Sequence, residues 1–204
     1  MKIFEEKLKE NNIDPWEISL DFHTHFWYAN FDEGEPVCTI VDILFKPQSG
    51  EKEKIGEFAF TLIKKYNFDQ TVNNLFNAAD MVNGDLTNAV NPFVDENLQL
   101  VGDFSKPDVI YIDKMYLNKK YRKKGIGAYS FAMLYDILSR KASLITIFPK
   151  PYDYDNDKKH KEKVFKKEKE NMIKLLEWFD FKQSELNPTI YWTNTDYQLS
   201  LLKK

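Results

Sequence analysis

The chain has 204 residues, 43% hydrophobic and 15% aromatic, which suffices for the core of one domain and excludes a disordered chain. Its single cysteine, Cys38, excludes an internal disulfide framework or a multi-cysteine zinc site, and the net charge of −3 gives no general affinity for polyanions. The N-terminus lacks the apolar run of a signal peptide, and no segment reaches the ~20 apolar residues of a membrane span. We therefore expect one cytoplasmic domain over residues 1–204, with no membrane partner.

The first half of the chain mixes segments with the spacing of helices and segments with the alternation of strands. In chain order these are a helix at 2–11, strands at 17–28, 37–45 and 55–63, and helices at 69–83 and 85–91. Pro47 and Gly50 lie between the second and third strands, which predicts a hairpin with a long loop. Gly84 is expected to end the longer helix.

The second half of the chain alternates strands with helices. The predicted order is a strand at 109–117, a helix at 125–140, a short strand at 144–148, a helix at 162–179, and strands at 181–184 and 189–195. Strands interleaved with helices in this way predict an α/β fold, in which a mixed sheet is covered on both faces.

The clearest chemical signal lies at 113–128, where a strand runs into a loop with two glycines that opens a helix. The first turn of a helix has backbone N–H groups without partners and a partial positive charge, so it attracts anions. Gly125 and Gly127 carry no side chain that would keep a phosphate from these N–H groups. Basic residues surround the loop and would concentrate a pyrophosphate there: Lys119, Lys120, Arg122, Lys123 and Lys124.

The spacing of the loop excludes two common phosphate-binding motifs. A P-loop requires Lys-Ser/Thr after its second glycine, and Ala128-Tyr129 follows here. The dinucleotide-binding fingerprint requires a third glycine, which is missing. The run Arg122-Lys-Lys-Gly125-Ile-Gly127 instead resembles the Arg/Gln-x-x-Gly-x-Gly/Ala signature of the GNAT superfamily of acetyltransferases.

This resemblance is strongest over residues 108–148, although Lys119 stands where proline is common. It implies a GNAT-like acyl-CoA acyltransferase fold, with a mostly antiparallel mixed sheet and helices on both faces. Residues 1–106 would form the acceptor side and residues 107–204 the acetyl-CoA side, with no metal. The loop N–H groups would hold the CoA pyrophosphate, and the preceding strand would pair with the pantetheine arm. The cofactor contacts implied are Met115, Leu117, Arg122, Lys123, Lys124, Gly125, Ile126, Gly127 and Asn171.

A general base in this family is often a carboxylate on the signature strand, which makes Asp113 the catalytic candidate. Regular alternation would put Asp113 on the same strand face as Met115 and Leu117, and the alternative is a structural surface aspartate. The family often has a tyrosine on the last long helix that protonates the departing thiolate. Trp178 stands near that position and has no acidic proton to donate. The remaining candidates for the acid are Tyr152, Tyr154 and water.

The sequence predicts an N-acetyltransferase that moves an acetyl group from acetyl-CoA to a primary amine of a small molecule or peptide. One alternative, suggested by Trp178, is a CoA-binding protein of the same fold with altered catalysis. Another is a nucleic-acid-binding protein that uses the basic loop 119–124, which the net charge of −3 disfavours. His23 and His25 could face a metal together, but no third ligand is evident nearby, so no metal site is predicted. The oligomeric state stays open, with a homodimer as one option.

Overall fold

The computed structural model describes residues 1–25, 36–64, 75–80, 82–97, 100–102, 104–106, 108–151 and 158–197. The strands in this part of the chain are β1 Ile18–His25, β2 Val37–Phe45, β3 Glu53–Ile63, β4 Val109–Leu117, β5 Leu144–Ile147, β6 Lys182–Gln183 and β7 Tyr191–Asn194. The helices are α1 Lys2–Lys9, α2 Leu75–Asp80, α3 Gly84–Val90, α4 Ile126–Leu138 and α5 Lys158–Glu177.

One sheet contains all of these strands, in the order β1-β2-β3-β4-β5-β7-β6. Neighbouring strands are antiparallel, except that β4 and β5 are parallel. A parallel pair needs a crossover connection, and α4 lies in the connection between β4 and β5. The prediction of an α/β fold with a mixed, mostly antiparallel sheet is confirmed.

Helices cover both faces of the sheet. One core contains Leu8 of α1, Phe131 of α4 and Leu176 of α5, packed against one sheet face. A second core contains Leu75 of α2 and Leu86 of α3, packed against the opposite face. We call these the α4 face and the α3 face. The predicted covering of both faces is therefore confirmed.

The helices before β4 differ from their prediction around Gly84. Gly84 does not end a helix but is the first residue of α3. The side chain of Asn83 caps α3, because its oxygen accepts a hydrogen bond from the Leu86 N–H at 2.8 Å. Of the predicted helix at 69–83 the structure describes α2, while residues 65–74 and 81 lie outside the described residues. Residues 82 and 83 are described and are not helical, so the predicted end of this helix is wrong.

An extra residue interrupts the regular pairing of β4 with β3. Ile112 pairs with Phe60 and Lys114 pairs with Ala59, so Asp113 has no opposite residue and forms a β-bulge. Ile112 faces the α4 side before the bulge, and Met115 faces it afterwards. Because the bulge shifts the alternation by one residue, the expectation of regular alternation through β4 is wrong.

Among the described residues, no helix combines the length with the apolar character that a membrane crossing requires. The longest described helix, α5, spans 20 residues and is rich in lysine and glutamate. Its apolar side chains Met172 and Leu176 contact the core on the α4 face.

Candidate active site

The ladder between β4 and β5 is shorter than β4 itself. It runs from the pair Val109–Leu144 to the pair Ile112–Ile147 and stops there, where β5 ends. β4 continues to Leu117 and keeps its pairing with β3. Residues 113–117 therefore have no strand partner on the β5 side among the described residues, and we call the region beside them, beyond the end of β5, the β4–β5 gap.

Backbone groups of β4 are directed into this gap. The Asn118 N–H donates to the Ile55 carbonyl oxygen at 2.8 Å, so Leu117 and Gly56 form a pair without mutual hydrogen bonds. In an antiparallel ladder the N–H and C=O of such a residue point away from the partner strand, and those of every second residue do the same. The backbone groups of Leu117 and Met115 thus point away from β3, as the sequence analysis required for pantetheine contacts.

The N-terminus of α4 lies at the end of the same strand. Gly125 caps the helix with φ +85°, and Lys123 has φ +65°, so two residues of the loop adopt left-handed conformations. The first helical hydrogen bond runs from the Tyr129 N–H to the Gly125 carbonyl oxygen at 3.0 Å. Helix geometry gives no internal acceptor to the N–H groups of residues 126–128, which are available to an anion.

Arg122 ties this loop to two other elements. Its Nε donates to the Leu117 carbonyl oxygen at 2.8 Å, and its guanidinium lies 2.8 Å from Glu168 of α5. The guanidinium is therefore held beside the helix N-terminus but is partly neutralised. Asn171 is exposed one turn further along α5, and its role in cofactor binding stays a prediction.

The lysines of the loop surround the buried ring of Tyr121. Lys120 Nζ lies 4.7 Å from the ring centroid and 3.5 Å from Glu53, whereas Lys124 Nζ lies 5.8 Å from the centroid. The Tyr121 hydroxyl donates to the Glu53 carboxylate. Lys123 and Lys124 are exposed and carry the charge of the loop that faces solvent.

The two loop glycines have different roles. A side chain at position 125 would meet Lys7 of α1 at 3.2 Å and Leu8 at 3.5 Å, and it would strain the left-handed backbone. Gly125 therefore leaves room for the side chains of Lys7 and Leu8 of α1, and its part in admitting a phosphate stays a prediction. A side chain at Gly127 would only touch Leu117, at 3.4 Å.

Asp113 is an exposed side chain at the bulge, and its surroundings disfavour its charge. The neighbouring protein partly removes its water, and Asp85 of α3 adds repulsion, so the pKa of Asp113 is raised despite the opposing effects of Lys114 and Lys150. Burial raises the pKa of Tyr111 far above its usual range, with Asp113 and Asp85 adding to the effect. Asp113 thus belongs to the α3 face and not to the face of Met115, because the bulge intervenes.

Sequence reasoning missed a cavity on the α3 face. It encloses about 230 Å³ and is lined by Asp85, Asn88, Phe148, Asn187, Thr189 and Ile190. These residues come from the start of α3, the end of β5 and the turn between β6 and β7. No sequence pattern links segments this far apart, because their proximity follows only from the strand order.

Other predicted site residues lie away from the gap or outside the described residues. Trp178 is 63% exposed, and its ring lies 6.1 Å from Phe4 of α1, with its edge toward that ring. Asp180 ends the helical region with φ +54°, a conformation that favours glycine. The alternative proton donors Tyr152 and Tyr154 lie outside the described residues.

The histidine pair on β1 is only partly described. His23 Nε2 lies 3.5 Å from Asp42 and 3.9 Å from Asp21, so carboxylates on the exposed part of the sheet surround it. The described residues contain no group of three or more histidine, cysteine, aspartate or glutamate side chains that could hold a metal ion.

Comparison of the chain with models of known protein families finds no match, and comparison with curated protein sequences finds none either. Any assignment of function must therefore come from the residues and their geometry. The features available for it are the β4–β5 gap, the N-terminus of α4 and the carboxylates Asp113 and Asp85.

Replacing Asp113 with asparagine should raise the free energy of unfolding at neutral pH. The folded protein raises the pKa of Asp113 above 3.8, so folding disfavours the charged form of this side chain. The free energy of unfolding of the wild type is therefore lowered at every pH at which Asp113 is ionised. The gain should shrink as the pH falls through the raised pKa and vanish below 3.8, where folded and unfolded states are both protonated. Urea denaturation at a series of pH values measures this.

The exposed carboxylate of Glu51, in the turn between β2 and β3, provides the control. Glu51→Gln should leave the unfolding free energy nearly unchanged at every pH. An Asp113→Asn variant that is less stable than wild type at pH 7 would show that the carboxylate is a stabilising structural group.

Proposed function

We propose that this chain is an acetyl-CoA-dependent N-acetyltransferase with a GNAT-like fold, which transfers an acetyl group to a primary amine by direct attack. The observation that carries the proposal is that the end of β4, which β5 does not pair, lies beside the N-terminus of α4, where Gly127 is close to Leu117. One elongated ligand with a pyrophosphate at one end and amides along its arm would use both features at once. The strand order, the single parallel pair and the α4 connection support the GNAT-like fold.

The proposed position of acetyl-CoA follows from the available backbone groups. The pyrophosphate would accept hydrogen bonds from the N–H groups of residues 126–128, with Lys123 and Lys124 adding positive charge. The pantetheine arm would lie along residues 113–117, which span about 16 Å of extended strand. A β4 backbone N–H near the bulge would polarise the thioester carbonyl, as a fixed donor directed at the oxygen where charge develops.

Asp113 is proposed as the general base. A primary amine is mostly protonated at neutral pH, so it must lose a proton before its nitrogen can attack. Asp113 would accept that proton directly or through one water, and its raised pKa brings it closer to the value that a base at neutral pH requires. The neutral amine nitrogen then bonds to the acetyl carbon and the carbon–sulfur bond breaks. The second proton of the nitrogen passes through water to the departing thiolate, so the products are the neutral amide and the CoA thiol.

In the proposed reaction the cofactor and the acceptor approach from opposite faces of the sheet. Met115 and Leu117 pack toward the α4 face, where the cofactor would bind, and Asp113 belongs to the α3 face. The amine would therefore approach from the α3 face and meet the thioester in the β4–β5 gap. This arrangement assigns the acceptor side to helices α2 and α3, which belong to the first half of the chain.

The alternative functions have weaker support. Trp178 suggested a CoA-binding protein with altered catalysis. Its ring is exposed and packs against Phe4, so a surface packing role is enough to explain a tryptophan at this position. A nucleic-acid-binding protein needs an extended basic surface. Here Arg122 and Lys120 already pair with Glu168 and Glu53, which leaves a small basic area suited to a small ligand.

Gly127→Asp should weaken acetyl-CoA binding by tenfold or more, because a carboxylate at the helix N-terminus competes with and repels the pyrophosphate. The loss of one hydrogen bond to a charged group costs about 1.5–3 kcal/mol, and each 1.4 kcal/mol is about tenfold. The helix should remain folded, since an acidic side chain in its first turn is favourable. Titration calorimetry with acetyl-CoA measures the affinity.

Gly127→Ala is the matched control, because it adds the Cβ near Leu117 without the charge. Its acetyl-CoA affinity should stay within about threefold of wild type, the usual effect of a small surface change. If Gly127→Asp bound acetyl-CoA with unchanged affinity, the loop would not be part of the cofactor site. Gly125→Asp is unsuitable for this purpose, because it also disturbs the packing of α1.

Asp113→Asn should lower the rate of CoA release from acetyl-CoA, with a panel of primary amines as acceptors, by about 10²–10⁴-fold. Acetyl-CoA affinity should stay near normal, because Asp113 lies on the acceptor face. Glu51→Gln serves again as the control and should keep full activity. Full activity of Asp113→Asn with an unchanged pH–rate profile would contradict the role of Asp113 as the base.

A further inference from the structure

Strand β1 forms one outer edge of the sheet, and no described strand pairs with its outer side. Edge strands usually carry a lysine, a proline or a bulge that prevents pairing with another chain. β1 contains neither lysine nor proline over Ile18–His25, and all eight residues pair with β2 without an irregularity. β1 therefore has the regular geometry that a further strand needs.

The outward backbone groups of β1 belong to every second residue. The Lys46 N–H donates to the Glu17 carbonyl oxygen at 2.8 Å, so these two residues form a hydrogen-bonded pair just before β1. The register continues unchanged through β1, where hydrogen-bonded pairs alternate with pairs that have no mutual hydrogen bonds. By this alternation the N–H and C=O groups of Leu20, Phe22 and Thr24 point away from β2, toward the outer edge.

A second copy of β1 fits this edge when the two strands run antiparallel about a two-fold axis. Such an axis keeps each side chain on its own sheet face, so it must pass through a residue position and not between two residues. With the axis at Phe22, the two Phe22 residues form a hydrogen-bonded pair. Leu20 of each copy forms another with Thr24 of the second copy, because both have outward backbone groups.

The side chains complement each other in this register. Phe22 lies on the α4 face opposite the buried Val41 but is itself 39% exposed, and its symmetry mate would cover it. On the other face, Asp21 of each copy would oppose His23 of the second copy, where an imidazole N–H can donate to a carboxylate. The side chains of His23 and Asp21 are 47% and 59% exposed and thus accessible to a partner.

The neighbouring registers lack this complementarity. An axis at Asp21 would place the two Asp21 carboxylates directly opposite each other, and an axis at His23 would do the same with the two imidazoles. Like charges directly opposite across two strands are destabilising. The side chains of β1 therefore specify the axis at Phe22.

We propose that the chain forms a two-fold homodimer through β1, in which the two copies pair antiparallel about Phe22 and join their sheets into one. This inference is independent of the proposed acetyltransferase function. Strands β2 and β3 separate β1 from β4, so the β4–β5 gap of each copy lies away from the interface.

Sedimentation equilibrium of the full chain over about 1–100 µM, the range of moderate dissociation constants, should show a dimer of the wild type. His23→Asp places two carboxylates opposite each other at both symmetric positions, which should raise the Kd about tenfold or more. The double substitution Asp21→Lys with His23→Lys should do the same with two positive charges. Lys182→Asp, an exposed change on β6 at the opposite edge, is the control and should leave the Kd unchanged.

An equimolar mixture of the two charge variants should restore the dimer, because the aspartates of one copy then face the lysines of the other. This restoration excludes a folding defect as the cause of the weakened association. Wild type that stays monomeric over the whole range overturns the proposal. A dimer whose Kd does not respond to His23→Asp, or a mixture that stays monomeric, also overturns it, since the copies would not then pair in this register.

Discussion

Strand β4 has two different neighbours along its two edges, and the geometry of the site depends on that difference. β3 pairs with β4 as far as Leu117, whereas β5 pairs with it only as far as Ile112. Because β3 holds the whole strand in place, its last residues stay extended although β5 has ended. The result is a row of backbone groups directed away from β3, in which the Leu117 carbonyl oxygen already accepts from Arg122. In the proposed complex the ligand pairs with the other groups as a missing strand would.

The bulge at Asp113 acts at the same point. It occurs where β5 stops pairing with β4, and it moves each side chain that follows to the opposite face of the sheet from the one that regular alternation predicts. Met115 and Leu117 turn to the α4 face, and the carboxylate of Asp113 belongs to the α3 face beside Asp85. A single inserted residue thereby separates the proposed cofactor side from the proposed acceptor side. The unfavourable environment of the Asp113 charge is the kind of local cost that proteins retain at functional positions.

Local patterns predicted much of this fold. The bounds of β2 and β4 follow directly from their apolar alternation, and the apolar stripe of α4 predicts a helix within two residues of its observed ends. The bulge could not be predicted, because it depends on the register of β4 against β3, two strands far apart in sequence. The two glycines after Arg122 predicted a loop that opens α4, but the pairing of Arg122 with Glu168 and the contact of Gly125 with α1 arise only from tertiary packing. The cavity at Asp85 was missed for the same reason.

The most direct test of the account is an amide-resolved NMR titration of the ¹⁵N-labelled protein with acetyl-CoA. If the β4–β5 gap and the N-terminus of α4 form one cofactor site, the largest shifts should fall on the N–H groups of 126–128 and on Met115 and Leu117. The amides of β1 and β2, at the far edge of the sheet, should stay unchanged. The account would be contradicted if saturating acetyl-CoA left the resonances of these loop and β4 amides unshifted, or if the largest shifts fell in a different region of the chain.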